Sequence, residues 1–327
     1  MKDYTKFMPE DGFKENILSE ELSRYRIIHR TEYTYFDTVN LCHNVALLTP
    51  RNYVAPYIEQ RCLTSALQIT PCPDNERQYL DFFDNNIHYF AIQKPHNSLT
   101  VSSTALVERR SRLPVAKQTF LVDDSWEQVV KLLRDPSADI GGALYKNTLE
   151  ALPYCFPSAL VAISEDIYQY ACFSFMPDRP LIDAVLDLME RIYEDFDFVS
   201  GFTTISTPIT DVLREKKGVC QDFAHVALGC LRAMGLAARY VSGYIETIPP
   251  EGTERLIGAD ASHAWIAVYI PHLGWVEFDP TNNQLVRSQH IALGWGRDYA
   301  DVSPLRGVIV SAATTELSVS VDVMRIR

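Results

Sequence analysis

Between Tyr25 and about residue 110 the apolar residues recur at every second position; further along the chain they recur three and four apart. That change of period restricts the fold more than any other feature, because a period of two builds sheet and a period of 3.6 builds helix. In YRIIHRTEYTYF one side carries Tyr25, Ile27, His29, Thr31, Tyr33 and Tyr35. RCLTSALQITP ends at a proline as a second strand. YLDFF and IHYFAI flank the turn signal Asp84-Asn85-Asn86, and SLTVSSTALVERR adds another strand. No long helical pattern interrupts them. Residues 24–110 therefore read as an antiparallel β domain, a sandwich or barrel-like pair of sheets.

Residues 111–327 read as a second unit of mixed character. Ser125-Trp126-Glu127-Gln128 has the form of a capping box opening a helix that stops before Pro136. Ser164 opens another through Tyr170. Pro180 stands at a first helical position, followed by Leu181, Ile182, Val185, Leu188, Met189 and Ile192 at helical spacing. The stretch from about 110 to 160 otherwise has weak signals and reads as linker. After Cys220, QDFAHVALGCLRAM is apolar nearly all round and closes at Gly235, which predicts a central buried helix. LAARYVSGYIE, HAWIAVYI and GWVEFDP follow as strands. The tail ELSVSVDV predicts one more, with Leu317, Val319, Val321 and Val323 on its buried face. Helices followed by sheet indicate an α+β class.

Charge narrows the partners. The 327 residues carry a formal net charge of −12, and no basic stripe is visible. A nucleic acid or an anionic membrane is therefore not expected as a partner. The polar start MKDYTKFMPEDGFKENILSEELS has no apolar leader, and no apolar run is long enough to span a bilayer. The seven cysteines are odd in number and irregularly spaced, without a C-x-x-C pair. Neither a disulfide framework nor a zinc ribbon is indicated, and the reducing cytoplasm is the expected compartment. No D-x-[DN]-x-[DN]-G loop suggests calcium, and no cofactor is expected.

The stretch GVCQDFAH puts Cys220 at the mouth of that buried helix. A thiol attacks as thiolate, and an ordinary pKa of about 8.5 leaves little of it at neutral pH. A helix N-terminus favours the anion, and so does a neighbouring imidazolium. His225 is a poor partner: five residues of helix rotate it about 140° away from Cys220, which suits a core role. His263 is better placed. If the loop after Ile270 has three residues, Ile266 and Val268 pair with the apolar Val276 and Phe278. Trp265 then faces Asp279, and Asp279 becomes the diagonal neighbour of His263 on the same face. Cys220, His263 and Asp279 would then supply the nucleophile, the general base and acid, and the orienting carboxylate of a thiol acyl-transfer site. The backbone N–H of Cys220 is one oxyanion donor, with Gln221 or an upstream group as the second. Asp222 suits the helix dipole. Plainer readings stand beside this one: a buried structural cysteine, a strand histidine, an aspartate capping a turn, or a zinc set lacking a short-spaced ligand pair.

KGVCQDFAHVALGCLRAMGLAARYVSGY and DASHAWIAVYIPHLGWVEFDPTNN resemble the bacterial transglutaminase-like superfamily. YRIIHRTEYTYFDTVNLCHNVALLTPR resembles the β domain that precedes its core in many bacterial members, and GRDYADVSPLRGVIV their C-terminal segment. The resemblance runs from about residue 24 to the end. It implies a papain-like α+β core, and it places the family's Cys, His and Asp on Cys220, His263 and Asp279. It also implies a thioester acyl-enzyme and a protein or peptide substrate. A cysteine peptidase or amidase acting on a peptide or isopeptide bond is the first expectation. A protein-glutamine γ-glutamyltransferase is the second, and a non-catalytic binding module the third.

Overall fold

A computed structural model describes residues 20–112, 124–135, 143–247, 262–310 and 314–326. Seven strands come first: β1 (Glu20–Val39), β2 (Cys42–Ala46), β3 (Tyr53–Ala55), β4 (Ile58–Thr70), β5 (Asn75–Leu80), β6 (Asn86–Ile92) and β7 (His96–Arg112). The helices α1 (Trp126–Arg134), α2 (Ala143–Ala151), α3 (Glu165–Cys172) and α4 (Leu181–Asp195) follow. Next are β8 (Asp197–Phe198), α5 (Ile209–Glu215), β9 (Lys217–Gly218) and α6 (Cys220–Ala233). Then come β10 (Ala238–Ile245), β11 (Ser262–Ile270), β12 (Gly274–Asp279), β13 (Gln284–Leu285) and β14 (His290–Gly296). A short α7 (Tyr299–Val302) leads to β15 (Leu305–Ile309) and β16 (Thr315–Ile326).

The first strands form two antiparallel sheets, ordered β16-β1-β7-β4-β3 and β15-β2-β6-β5. Tyr35, Val39, Cys42, Ala46, Leu48, Phe90, Ile92, Leu99 and Val101 fill the space between them. The alternation in β1 has its physical cause here. Tyr25, Ile27, His29, Thr31 and Tyr35 are buried, Tyr33 is half-buried, and the residues between them face outward or are only partly covered. The stripe serves two neighbours. Its later residues face β2 and β6, whereas Tyr25 and Ile27 join the larger core that contains α6.

A third sheet, β13-β12-β11-β10-β14, is antiparallel throughout and carries α6 against one face. Every residue of α6 from Asp222 to Arg232 is buried, as its unbroken apolar run predicts. Gly235 ends it at φ +83°, with its own N–H on Arg232 O and that of Leu236 on Leu231 O. This pair of bonds satisfies the last carbonyls of the helix. Architecture and order are α+β, as expected.

The β domain docks on the opposite face and along one edge of the third sheet. β14 is an edge strand, with backbone groups that need partners. The Gln60 amide bonds both backbone groups of Ala292, donating at 2.7 Å and accepting at 2.9 Å. Asn85 does the same for Trp295, at 2.9 and 3.0 Å. Gly294 permits that approach, since a Cβ there would lie 2.5 Å from Asn85 Oδ1. Asn85, expected only as a turn residue, is fully buried at this seam.

Three local expectations need correction. The stretch read as linker contains α2 and a 3₁₀ turn, Leu152–Cys155, which bury Thr148, Ala151 and Tyr154. Pro180 precedes its helix as the N-cap residue. In β16 only Val321 and Val323 are buried; Leu317 and Val319 are about half exposed. β16 pairs with β1 over its whole length, but covered apolar neighbours lie only under its second half. The capping box at Ser125 is present, with Gln128 as its partner.

Candidate active site

Cys220 is the first residue of α6, and the local chain is arranged to hold it there. Val219 is extended, and the Asp222 carboxylate reaches back to accept from the Val219 N–H at 2.8 Å. Thr203 Oγ1 donates to the same oxygen at 2.6 Å. Gly218 is required at this point, because a Cβ would stand 2.7 Å from that oxygen. Burial raises the pKa of Asp222, and the bonds from Thr203 and Val219 oppose the rise. Asp222 thus caps the helix through specific hydrogen bonds and does more than favour its dipole. Cys220 as a residue is half-buried. The first-turn N–H groups of Cys220 and Gln221 have no acceptor within the helix and lie beside the thiol.

His263 and Asp279 arrive from the β11–β12 hairpin. Ile266 pairs with Phe278, Val268 with Val276 and Ile270 with Gly274, so the loop has three residues, as the apolar pairing predicts. His263 and Asp279 consequently share a face, with Nε2 2.8 Å from Asp279 Oδ2. Both are buried, Asp279 completely. Burial on its own would lower the His263 pKa. The charge and hydrogen bond of Asp279, with a further contribution from the Cys220 thiol, outweigh burial and raise it to about 10. Burial would likewise raise Asp279, but the charge of His263 and the bonds from His263 and His290 hold it below the ordinary carboxylate range. The structure therefore brings Cys220, His263 and Asp279 together. His225 is buried elsewhere, accepting from the Tyr299 N–H at 3.2 Å, with its pKa pushed down to about 4 by burial.

Two members of the site carry no signal in the sequence pattern. His290, at the start of β14, is fully buried, and its Nε2 lies 3.0 Å from Asp279 Oδ2. Its Nδ1 accepts from the Arg287 N–H, which places its proton on Nε2 and makes it the donor to the carboxylate. Asn282 Nδ2 donates to the same oxygen at 2.6 Å, and the N–H groups of Thr281 and Asn282 take Asp279 Oδ1. Trp265 sits against both histidines, 6.0 Å from His263 and 5.3 Å from His290 between ring centroids. His263, Asp279 and His290 place three potential ligand atoms within 4.8 Å of one another. The proton on His290 Nε2 points at the shared carboxylate, so hydrogen bonding accounts for the cluster and the residues do not fit a cation.

Known proteins resemble both parts of the chain. Residues 25–108 match the bacterial transglutaminase-like N-terminal region, and residues 175–280, which include Cys220, His263 and Asp279, match the transglutaminase-like superfamily core. An uncharacterised Mycobacterium tuberculosis protein is 42% identical over 306 residues, covering 92% of each chain. A protein-glutamine gamma-glutamyltransferase of Pseudomonas aeruginosa is 32% identical over 205 residues, 60% of this chain and 29% of that one. A solved candidate cysteine protease from Cytophaga hutchinsonii has the same fold at 20% identity, with a TM-score of 0.69 over 93% of this chain and 91% of that one. The chain belongs to the transglutaminase-like superfamily, with the bacterial N-terminal region ahead of the core.

Proposed function

We propose that the protein is a thiol acyl-transfer enzyme that hydrolyses a peptide or isopeptide bond, with Cys220 as nucleophile, His263 as general base and acid, and Asp279 as orienter. The observation that carries this reading is the 2.8 Å His263–Asp279 pair beside a thiol at a helix N-terminus. The raised His263 pKa favours an imidazolium beside the Cys220 sulfur. Cys220 Sγ attacks the carbonyl carbon and forms the C–S bond, while negative charge grows on the oxygen near the Cys220 N–H. As the C–N bond breaks, His263 gives its proton to the departing amine. Water then attacks the thioester, passes a proton to His263 and releases the acid, and Cys220 leaves as thiolate.

Hydrolysis is preferred over amine transfer because it needs only water at the half-buried Cys220, whereas transfer needs a second bound substrate. The second reading, glutamine γ-glutamyl transfer, is favoured by the 32% identity to the Pseudomonas aeruginosa transferase. Incubation with a glutamine-rich protein and a fluorescent primary amine separates the two. Hydrolysis of a peptide or isopeptide bond predicts newly freed amines with little incorporated label, and their release is lost in Cys220→Ala. Efficient labelling that depends on Cys220 reverses the order. Turnover unchanged in Cys220→Ala removes the enzymatic reading altogether.

A further inference from the structure

A cleft of about 610 Å³ opens where the tip of the β11–β12 hairpin meets β3 and α2. Tyr269 in its wall lies six residues along β11 from His263, about 20 Å of strand, so the cleft is separate from the thiol site. Arg239 of β10 lines it and is only 5% exposed. Its guanidinium carbon stands 3.6 Å from the ring centroid of Trp295 and 4.4 Å from that of Trp275. Trp295 is on β14 and Trp275 on β12, which lie on opposite sides of β10 in the sheet. The two indoles therefore occupy the faces of the guanidinium and leave its N–H edge.

That edge is unused. Among the described residues Arg239 donates no hydrogen bond, and its Nε is buried without an acceptor. Burial lowers its pKa only to about 10, so it is charged at neutral pH. A buried cation without acceptors is unusual, because desolvation is costly unless hydrogen bonds replace the lost water. Glu277, level with Arg239 across β11, is its nearest counter-charge and attracts it through space; its Oε2 accepts from Trp265 and Tyr53, and its buried Oε1 has no hydrogen bond, to Arg239 or to any other described residue. Arg51 stacks on the Trp295 ring at 3.3 Å and adds a second positive charge. The walls at Tyr57, Leu273 and Trp275 are largely apolar, whereas Glu59, Glu150 and Arg110 stand along the lining. A planar, singly charged carboxylate matches the in-plane fork of a guanidinium.

We propose that this cleft binds a carboxylate carried on an apolar body, with the N–H edge of Arg239 taking the carboxylate and Tyr57, Leu273 and Trp275 the body. The site does not depend on the acyl-transfer reading. Calorimetric titration of the full chain with N-acetyl-L-phenylalanine, its amide and inorganic phosphate tests it. The acid should bind saturably, and the amide and phosphate at least about tenfold more weakly, as expected for loss of a charge-assisted pair. Arg239→Gln should weaken the acid about 10- to 100-fold. Should that buried change unfold the chain, Asn147→Glu decides: it adds negative charge at an exposed lining position and should weaken the acid while leaving the fold intact. Cys220→Ala should bind like the wild type. No saturable binding of the acid, equal binding of the amide, tighter binding of phosphate, or full affinity in a folded Arg239→Gln or Asn147→Glu variant each overturns the proposal.

Discussion

Asp279 accepts five hydrogen bonds, from His263, His290, the Asn282 side chain and two backbone N–H groups, with no access to solvent. Such a carboxylate stays ionised and holds the imidazolium form of His263. The sign of the pH effect follows from the two shifts. The raised His263 pKa stabilises the fold fully below its unfolded value of about 6.5, and the gain is lost as pH climbs through about 10. The depressed Asp279 pKa stabilises above about 3.9, and that gain is lost as pH falls into the acid range. Asp279→Asn should therefore lower the melting temperature at neutral pH, and the difference from wild type should shrink at both extremes. In activity, its basic limb should move down from near 10, with a loss of up to about 10⁴-fold in rate. An unmoved basic limb would show that Asp279 does not set the His263 proton. His290→Gln retains a donor near the Nε2 position and should keep most of the activity, whereas His290→Leu should lower it and shift the pH profile. Equal losses in both would assign His290 a packing role only.

At the scale of elements, the hairpin and the buried helix were legible because each follows from one rule applied to contiguous residues. Pairing Ile266 with Phe278 and Val268 with Val276 left a single register and delivered the His263–Asp279 contact with it. His290 was not legible, since it comes from another strand across a connection with no periodic pattern to fix its path. The tail shows the converse error: alternation marks β16 as a strand but does not reveal that Leu317 and Val319 stay about half exposed. The start of α6 supplies its own test. Gly218→Ala pushes a methyl against Asp222 and should loosen the cap, lowering activity more than stability, because the displaced group carries Cys220. Activity kinetics beside thermal melts would check this, and full activity in the variant would show that the cap does not position the thiol.

Across the whole molecule, the β domain and the third sheet share one core and one seam. Tyr25, Ile27, Ala105 and Val107 lie in the same apolar cluster as Ile266, Phe278 and the α6 residues. Gln60 and Asn85 occupy the edge of β14, the strand that begins with His290. Gln60→Leu leaves two backbone groups of Ala292 without partners and should cost about 1–3 kcal/mol, measurable by urea unfolding. An unchanged midpoint would mean that water serves the edge equally well. No helix among the described residues is long and apolar enough to cross a membrane. Of the seven cysteines, Cys220 should be the activated thiol, and competition for an alkylating agent tests this without any knowledge of the substrate. Burial raises Cys230 to about 12 and Cys155 to about 11, and it also raises Cys42 and Cys62. Brief exposure of the native protein to iodoacetamide at about pH 6, where ordinary thiols are protonated, followed by peptide mapping, should find Cys220 modified first. His263→Ala should slow that modification and leave the other cysteines unchanged; faster labelling of another cysteine with Cys220 inert would contradict the account.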